Sequence, residues 1–182
     1  FLLNKKENID YKKLNEFLKK YSHGNFFIFG FTSLIFENLI QKLSTKLTYS
    51  NFKNGILLHG GGWKKLENLK INNKVFKNEL YKKLGLNKIY NYYGLVEQTG
   101  SIFIESERCG YLHTSLFSDI LVRDKSFRIL GNKKKGLIQL ISVLPTSYPG
   151  HNILTEDIGE IIGEDDCSCG LKGKYFLVHG RT

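Results

Sequence analysis

Apolar positions in the first hundred residues follow a helical rhythm broken by short solid runs. Tyr11, Leu14, Phe17, Leu18 and Tyr21 recur every three or four residues, which predicts a helix over residues 10–21 with Asp10 as its N-cap. Gly24 ends it, and the run Phe26-Phe27-Ile28-Phe29-Gly30-Phe31 predicts a buried strand. Thr32 or Ser33 caps a second helix to about Leu43, with Leu34, Ile35, Asn38 and Leu39 in period. Gly55-Ile56-Leu57-Leu58-His59 predicts another buried strand, followed at once by Gly60-Gly61-Gly62-Trp63. A third helix spans about 72–84 and is stopped by Gly85, and residues 88–93 form the next strand. Strands alternating with helices imply an α/β fold with a parallel sheet and right-handed crossovers.

After Gly100 the rhythm changes. Short strands are expected at 102–104, 120–123, 127–130, 136–143, 158–162 and 174–179, with Gly131-Asn132 and Gly163-Glu164-Asp165-Asp166 supplying turns. No comparable helix intervenes. The expectation is a parallel α/β subdomain over residues 1–100, then a small antiparallel β subdomain, sheet or distorted barrel, over 101–182.

Composition narrows the partners. The net charge of +10 is nearly all lysine spread along the chain, and the arginines are Arg108, Arg123, Arg128 and Arg181. Nucleic-acid readout favours clustered arginine with interleaved aromatics, so no nucleic-acid partner is expected, and Lys133-Lys134-Lys135 reads as a solvated turn. No apolar run reaches the ~18–20 residues of a membrane span. Three cysteines do not make a disulfide framework, which places the chain in a reducing cytoplasm. The chain has no methionine, so it is expected to be a piece of something longer.

Candidate chemistry gathers at residues 90–100, Tyr-Asn-Tyr-Tyr-Gly-Leu-Val-Glu-Gln-Thr-Gly. An aromatic, a glycine turn and an isolated carboxylate suit a nucleotide site: stacking on a base, close backbone approach, and Mg²⁺ held beside phosphates. A buried strand running into a helix cap fits the same letters. Both glycine-bearing turns, Gly60–Gly62 and Gly94, follow strand ends, where ligands of such sheets bind. Cys109-x₃-His113 and Cys167-x-Cys169 offer three thiolates and an imidazole, a tetrahedral donor set for structural zinc; three unrelated thiols and a surface histidine are the other reading. His59 is either hydrogen-bonded structure or a site-lining group. His151, in Tyr148-Pro149-Gly150-His151, is either a turn residue or a catalytic one. Neither has a nucleophile partner that would make a hydrolase triad. Trp63 and the aromatic stretch 29–36 are core or line an acyl pocket.

Several separated motifs agree in order and spacing: Gly60-Gly61-Gly62-Trp63, Tyr93-Gly94-Leu95-Val96-Glu97-Gln98, Ser147-Tyr148-Pro149-Gly150-His151, Leu154-Thr155-Glu156-Asp157-Ile158-Gly159 and Gly180-Arg181. They resemble the acyl-protein synthetases, fatty-acid-activating members of the adenylate-forming superfamily. The resemblance implies ATP and Mg²⁺ as cofactors, a carboxylic (fatty) acid substrate, and a thiol acceptor on a partner acyl reductase. It implies backbone of Gly60–Gly62 against the adenine and Tyr93 flanking the base. Glu97 would hold Mg²⁺, with Asp157 and Arg181 on the ribose. Related phenylacetate–CoA ligase-like proteins carry a similar Cys/His arrangement, which supports zinc at Cys109, His113, Cys167 and Cys169.

Departures accompany the match. Val96 stands where threonine is usual, so no hydroxyl reaches phosphate there. Neither a Ser/Thr/Gly phosphate loop nor a lysine-bearing C-terminal domain is found in these residues, so the chain is expected to be inactive alone. An acyl-CoA ligase of the phenylacetate–CoA ligase type is the nearest alternative. A non-catalytic nucleotide- or zinc-stabilised binding module is the alternative from another class.

Overall fold

The computed structural model describes residues 2–43, 52–62 and 71–181. The chain divides into two compact units, Phe1–Tyr90 and Asn91–Thr182.

In the first unit, helix α1 (Tyr11–Tyr21) starts where the Asp10 carboxylate accepts the Lys13 N–H at 3.2 Å. That bond, outweighing partial desolvation, holds Asp10 below the usual carboxylate range. Lys19 and Lys20 complement the dipole at the other end. Helix α2 (Thr32–Ile35) passes into a π-helix at Phe36–Lys42 instead of continuing as the regular helix expected to Leu43. Asn38 gives a local reason. Its buried side chain donates to the Leu34 carbonyl at 3.0 Å, competing with the regular i−4 ladder. Helix α3 (Asn73–Leu84) is capped by Asn72, which accepts the Val75 N–H at 3.0 Å. Gly85 stops it in the left-handed region at φ 72°, where a side chain would be strained.

Strands β1 (Phe26–Phe31) and β2 (Gly55–Gly60) pair in parallel, from Phe26 opposite Gly55 to Phe31 opposite Gly60. The core joins Leu14 and Leu18 of α1 and Leu39 of the π-helix to Leu57, Phe76, Leu80 and Leu84. The expectation that β1 is buried on both faces fails. Phe26 is buried, but Phe27, Phe29 and Phe31 are about 60% exposed (59%, 62% and 60%). A nearly unbroken apolar run, four phenylalanines and Ile28, hides the two-residue alternation of a strand covered on one face. Strand β3 (Lys88–Tyr93) continues the order β1-β2-β3-β4, where β4 (Phe103–Ile104) runs antiparallel to β3. The sheet is therefore mixed.

The second unit carries β5 (Leu112–His113), β6 (Ser118–Arg123), β7 (Gly136–Ser142), β8 (Asn152–Glu164) and β9 (Lys174–Arg181). They form one open sheet, β5-β9-β8-β7-β6, with every pairing antiparallel. It does not close into the barrel that was the other expectation, because β5 and β6 remain its two edges. Strand β8 has 13 residues, far beyond the expected 158–162, and carries register shifts at Ile158/Gly159 and Ile161/Gly163. Residues 127–130 are not a strand. Phe127 sits at φ 61° in a turn closed on Asp124, and Ile129 makes a single bridge to Arg123. Phe103, Leu112, Ile120, Ile138, Leu140 and Phe176 form this unit's core.

Candidate functional site

Strand β3 ends on Tyr93, whose ring lies 6.3 Å from both Phe103 and Phe176. Those contacts aim the hydroxyl, which donates to Asp157 Oδ2 at 2.7 Å across 64 residues of sequence. Asp157 is buried on β8, directly opposite Arg181 of β9, whose Nε lies 3.5 Å from Asp157 Oδ1. Thr155 accepts the Asp157 N–H at 3.1 Å, fixing the strand beneath the carboxylate. Burial, then the Asp157 carboxylate, push the Tyr93 phenol far above its ordinary value. Tyr93 is therefore a permanent donor at neutral pH. Three residues expected at a nucleotide site thus meet at one carboxylate, and Arg181 keeps most of its side chain, 71%, in solvent.

Glu97 stands on a single 3₁₀ turn, Val96–Gln98, and is exposed. Gly94 precedes it where an added Cβ would lie 3.0 Å from the Ser101 carbonyl, a close backbone approach that glycine permits. The loop Tyr148-Pro149-Gly150-His151 lies against this turn: the Tyr148 hydroxyl donates to the Glu97 carbonyl at 2.6 Å and accepts the Thr99 N–H at 3.2 Å. His151 is exposed at the end of that loop, its carbonyl accepting the Ser142 N–H at 2.9 Å. Gln98 and Tyr148 couple the two segments, and neither residue by itself marks nucleotide chemistry in the sequence. Their signal was only their adjacency to Glu97 and His151.

In the first unit, Gly60 closes β2, and Gly61 turns away at φ 90° with Gly62 exposed beside it. Trp63 lies outside the described residues. His59 is fully buried, its Nδ1 2.9 Å from Thr32 Oγ1, which itself donates to the Gly60 carbonyl at 3.1 Å. Burial, then the positive charge of Lys77, push this imidazole down to about 3. It stays neutral and fixes the chain ahead of the glycine turn.

The second unit also gathers Cys109, His113, Cys167 and Cys169, with one donor atom from each lying within 4.8 Å of all the others. Cys169 Sγ is 3.3 Å from His113 Nε2 and 3.4 Å from Cys167 Sγ. His113 Nδ1 lies 3.1 Å from the Tyr111 carbonyl, so it carries the proton and leaves the Nε2 lone pair toward the sulfurs. Tetrahedral Zn–S bonds of about 2.3 Å separate sulfurs by about 3.7 Å, so the donor set fits that ion with small movements. Burial pushes the Cys167 thiol up to about 11. For Cys169 burial acts the same way, but the Leu171 N–H and hydrogen bonds from Cys167, Ser106 and Cys109 outweigh it and bring the thiol down to about 7. One thiol is thus ready to ionise beside its neighbours.

Residues 1–182 match the family described as "Acyl-protein synthetase, LuxE". The chain belongs to the acyl-protein synthetase family. No curated protein matches its sequence. Among solved structures, an open conformation of a 2-hydroxyisobutyryl-CoA ligase bound to 2-HIB-AMP and CoA is similar at TM-score 0.69 and 16% identity, over 93% of this chain and 36% of that one. ATP-bound MatB from Rhodopseudomonas palustris follows at TM-score 0.63 and 16% identity, over 95% and 33%. The luciferase-like enzyme of the nonluminescent mealworm Zophobas morio gives 0.59 and 16%, over 94% and 40%. This acyl-protein synthetase chain therefore has the fold of the adenylate-forming ligases, and spans between a third and two-fifths of the length of these structures.

Proposed function

We propose that this acyl-protein synthetase chain contributes the adenine, ribose and magnesium side of a site that activates a carboxylic acid with ATP. A substrate carboxylate oxygen attacks the α-phosphorus, the bond to the bridging oxygen breaks, and acyl-adenylate and pyrophosphate result. In this reading Tyr93 flanks the base, and backbone at Gly60–Gly62 and Gly94 admits the nucleotide closely. Asp157 accepts from the ribose hydroxyls, with Arg181 beside it. Glu97 would hold Mg²⁺, which supplies charge neutralisation at the phosphates; an exposed single carboxylate fits an ion that is bound through one side chain plus phosphate oxygens. His151 serves the acyl or phosphate end. The protein's contribution is chiefly position and fixed charge.

The observation that carries this reading is the meeting of Tyr93, Asp157 and Arg181. A buried carboxylate with one permanent donor on Oδ2 and a solvent-reaching arginine beside Oδ1 keeps acceptor capacity for a diol. The acid is taken to be a fatty acid and the final acceptor a thiol on a partner acyl reductase in the cytoplasm. The alternative acceptor is coenzyme A, the ligand in the 2-hydroxyisobutyryl-CoA ligase complex. Zinc at Cys109, His113, Cys167 and Cys169 is assigned a structural role, since four donors from the protein would complete a tetrahedral shell. Calorimetry with a sulfamoyl-linked acyl-adenosine tests the nucleotide assignment. Binding that weakens at least tenfold in Asp157→Asn is expected; equal affinity for both proteins would remove Asp157 from the site.

A further inference from the structure

The carboxylate proposed to hold magnesium stands on a turn too short to hold itself. Val96–Gln98 is closed by the Gln98 N–H on the Leu95 carbonyl at 3.1 Å and by Thr99 Oγ1 on the Val96 carbonyl at 3.3 Å. One isolated 3₁₀ turn has no cooperative stability of its own. Its three side chains differ sharply in setting. Val96 is 91% exposed and Glu97 is exposed, while Gln98 is 0% exposed.

The Gln98 carboxamide is thus the turn's buried anchor. Its Nε2 donates to the Gly150 carbonyl at 2.9 Å and to the Leu140 carbonyl at 3.4 Å, reaching the 148–151 loop and strand β7 together. Those two acceptors fix the orientation of the amide, because a flipped group would turn its oxygen onto two carbonyl oxygens. Gln98 Oε1 is buried with no hydrogen-bond partner among the described residues, a cost that an apolar side chain would avoid. Against that cost the amide makes two donations that no apolar side chain could make, and both tie the turn to its neighbours, so its contribution is placement. The seam is tight: a Cβ on Gly150 would lie 2.7 Å from the Glu97 carbonyl, and the Tyr148 hydroxyl already bridges Glu97 and Thr99.

We propose that Gln98 is a positioning residue whose carboxamide locks the Glu97 turn to the loop bearing His151, so that the two segments move as one body. The lock stands on geometry; only its consequence for magnesium rests on the adenylation reading. Replacing Gln98 by leucine removes both donations at similar volume. Replacing it by glutamate keeps the shape but sets a carboxylate against two carbonyls, until acid protonates it and restores one donor.

Hydrogen–deuterium exchange tests the lock directly. In Gln98→Leu, amides of 95–100 and 147–151 are expected to exchange at least tenfold faster, both together, while the β8–β9 hairpin keeps its protection. Gln98→Glu should behave the same at alkaline pH, once its buried carboxyl is ionised, and at pH 5 should approach the wild type measured at that pH. Unchanged protection, acceleration of one segment alone, or loss of protection throughout the unit would each overturn the proposal. In the complete gene product, Gln98→Leu should raise the Mg²⁺ concentration giving half-maximal ATP–pyrophosphate exchange at least tenfold, with the KM for the acid unchanged. A parallel rise in both would contradict a positioning role at Glu97. A wild type without any pyrophosphate exchange would remove the adenylation reading, while the deuterium result would still decide the lock.

Discussion

His59 in the first unit and His113 in the second are both buried, at 0% and 7% exposure, and keep opposite company. His59 meets a threonine hydroxyl, the Phe76 ring at 4.7 Å and the field of Lys77, all of which suit a neutral imidazole. His113 meets sulfur, with its far nitrogen pinned to a backbone carbonyl. Burial alone therefore says nothing about role; what the ring is aimed at decides it. The contrast extends to the units. The first is held by capped helices around an aliphatic and aromatic core, whereas the second gathers its chemistry where polar groups converge from distant strands.

The largest effect expected from that contrast is metal removal. Elemental analysis should find one zinc per chain, and chelation or Cys169→Ser should lower the melting temperature by roughly 10 °C or more, because binding free energy at such a site is folding free energy. A metal-free chain with the same melting temperature would make the four residues an ordinary cluster, no different in kind from His59. Next is acid. A histidine held down to about 3 when folded and near 6.5 when unfolded contributes its full stability above pH 6.5 and loses it as pH falls toward 3. The loss is ~1.4 kcal/mol per pH unit, since the unfolded chain takes up the proton first. Urea unfolding of wild type and His59→Gln across that window isolates the difference; parallel slopes would mean that His59 is protonated in place.

Tyr93→Phe comes third. It deletes a donor to a buried carboxylate and should cost about 2 kcal/mol, within the range for bonds to charged groups. A change below about 0.5 kcal/mol in denaturant unfolding would show that Asp157 does not depend on the phenol. The smallest effect belongs to the first unit's caps: Gly85→Ala at φ 72° should cost about 1 kcal/mol and leave ligand binding alone.

Where the chain signals its structure locally, the sequence is readable. The Asp10 cap, the Gly85 stop and the two helices they bound lie where the sequence places them, with Asn72 serving as a cap in place of a first helical residue. Strand β1 misleads because five of its six residues are aromatic or aliphatic on both faces, so burial cannot be told from alternation. Strand β8 is longer than expected because the polar side chains of Thr155, Glu156 and Asp157 break its apolar run, although they alternate across a sheet. The two-residue β5 gives no periodic signal at all, and the bend into the π-helix turns on one buried asparagine. In the site, the Cys109/His113 and Cys167/Cys169 pairs are visible from spacing. The contact from Tyr93 to Asp157 joins residues on different strands; motif order suggested a shared nucleotide, and only the fold shows the bond between them.

The most direct test of the central claim is carboxylate-dependent ATP–pyrophosphate exchange by the complete gene product, with acids from acetate to myristate and Glu97→Gln as control. Exchange that requires both an acid and Glu97, strongest with a long-chain acid, is the predicted result. A folded, zinc-containing protein that exchanges pyrophosphate with none of these acids would contradict it and leave a binding module in place of the enzyme.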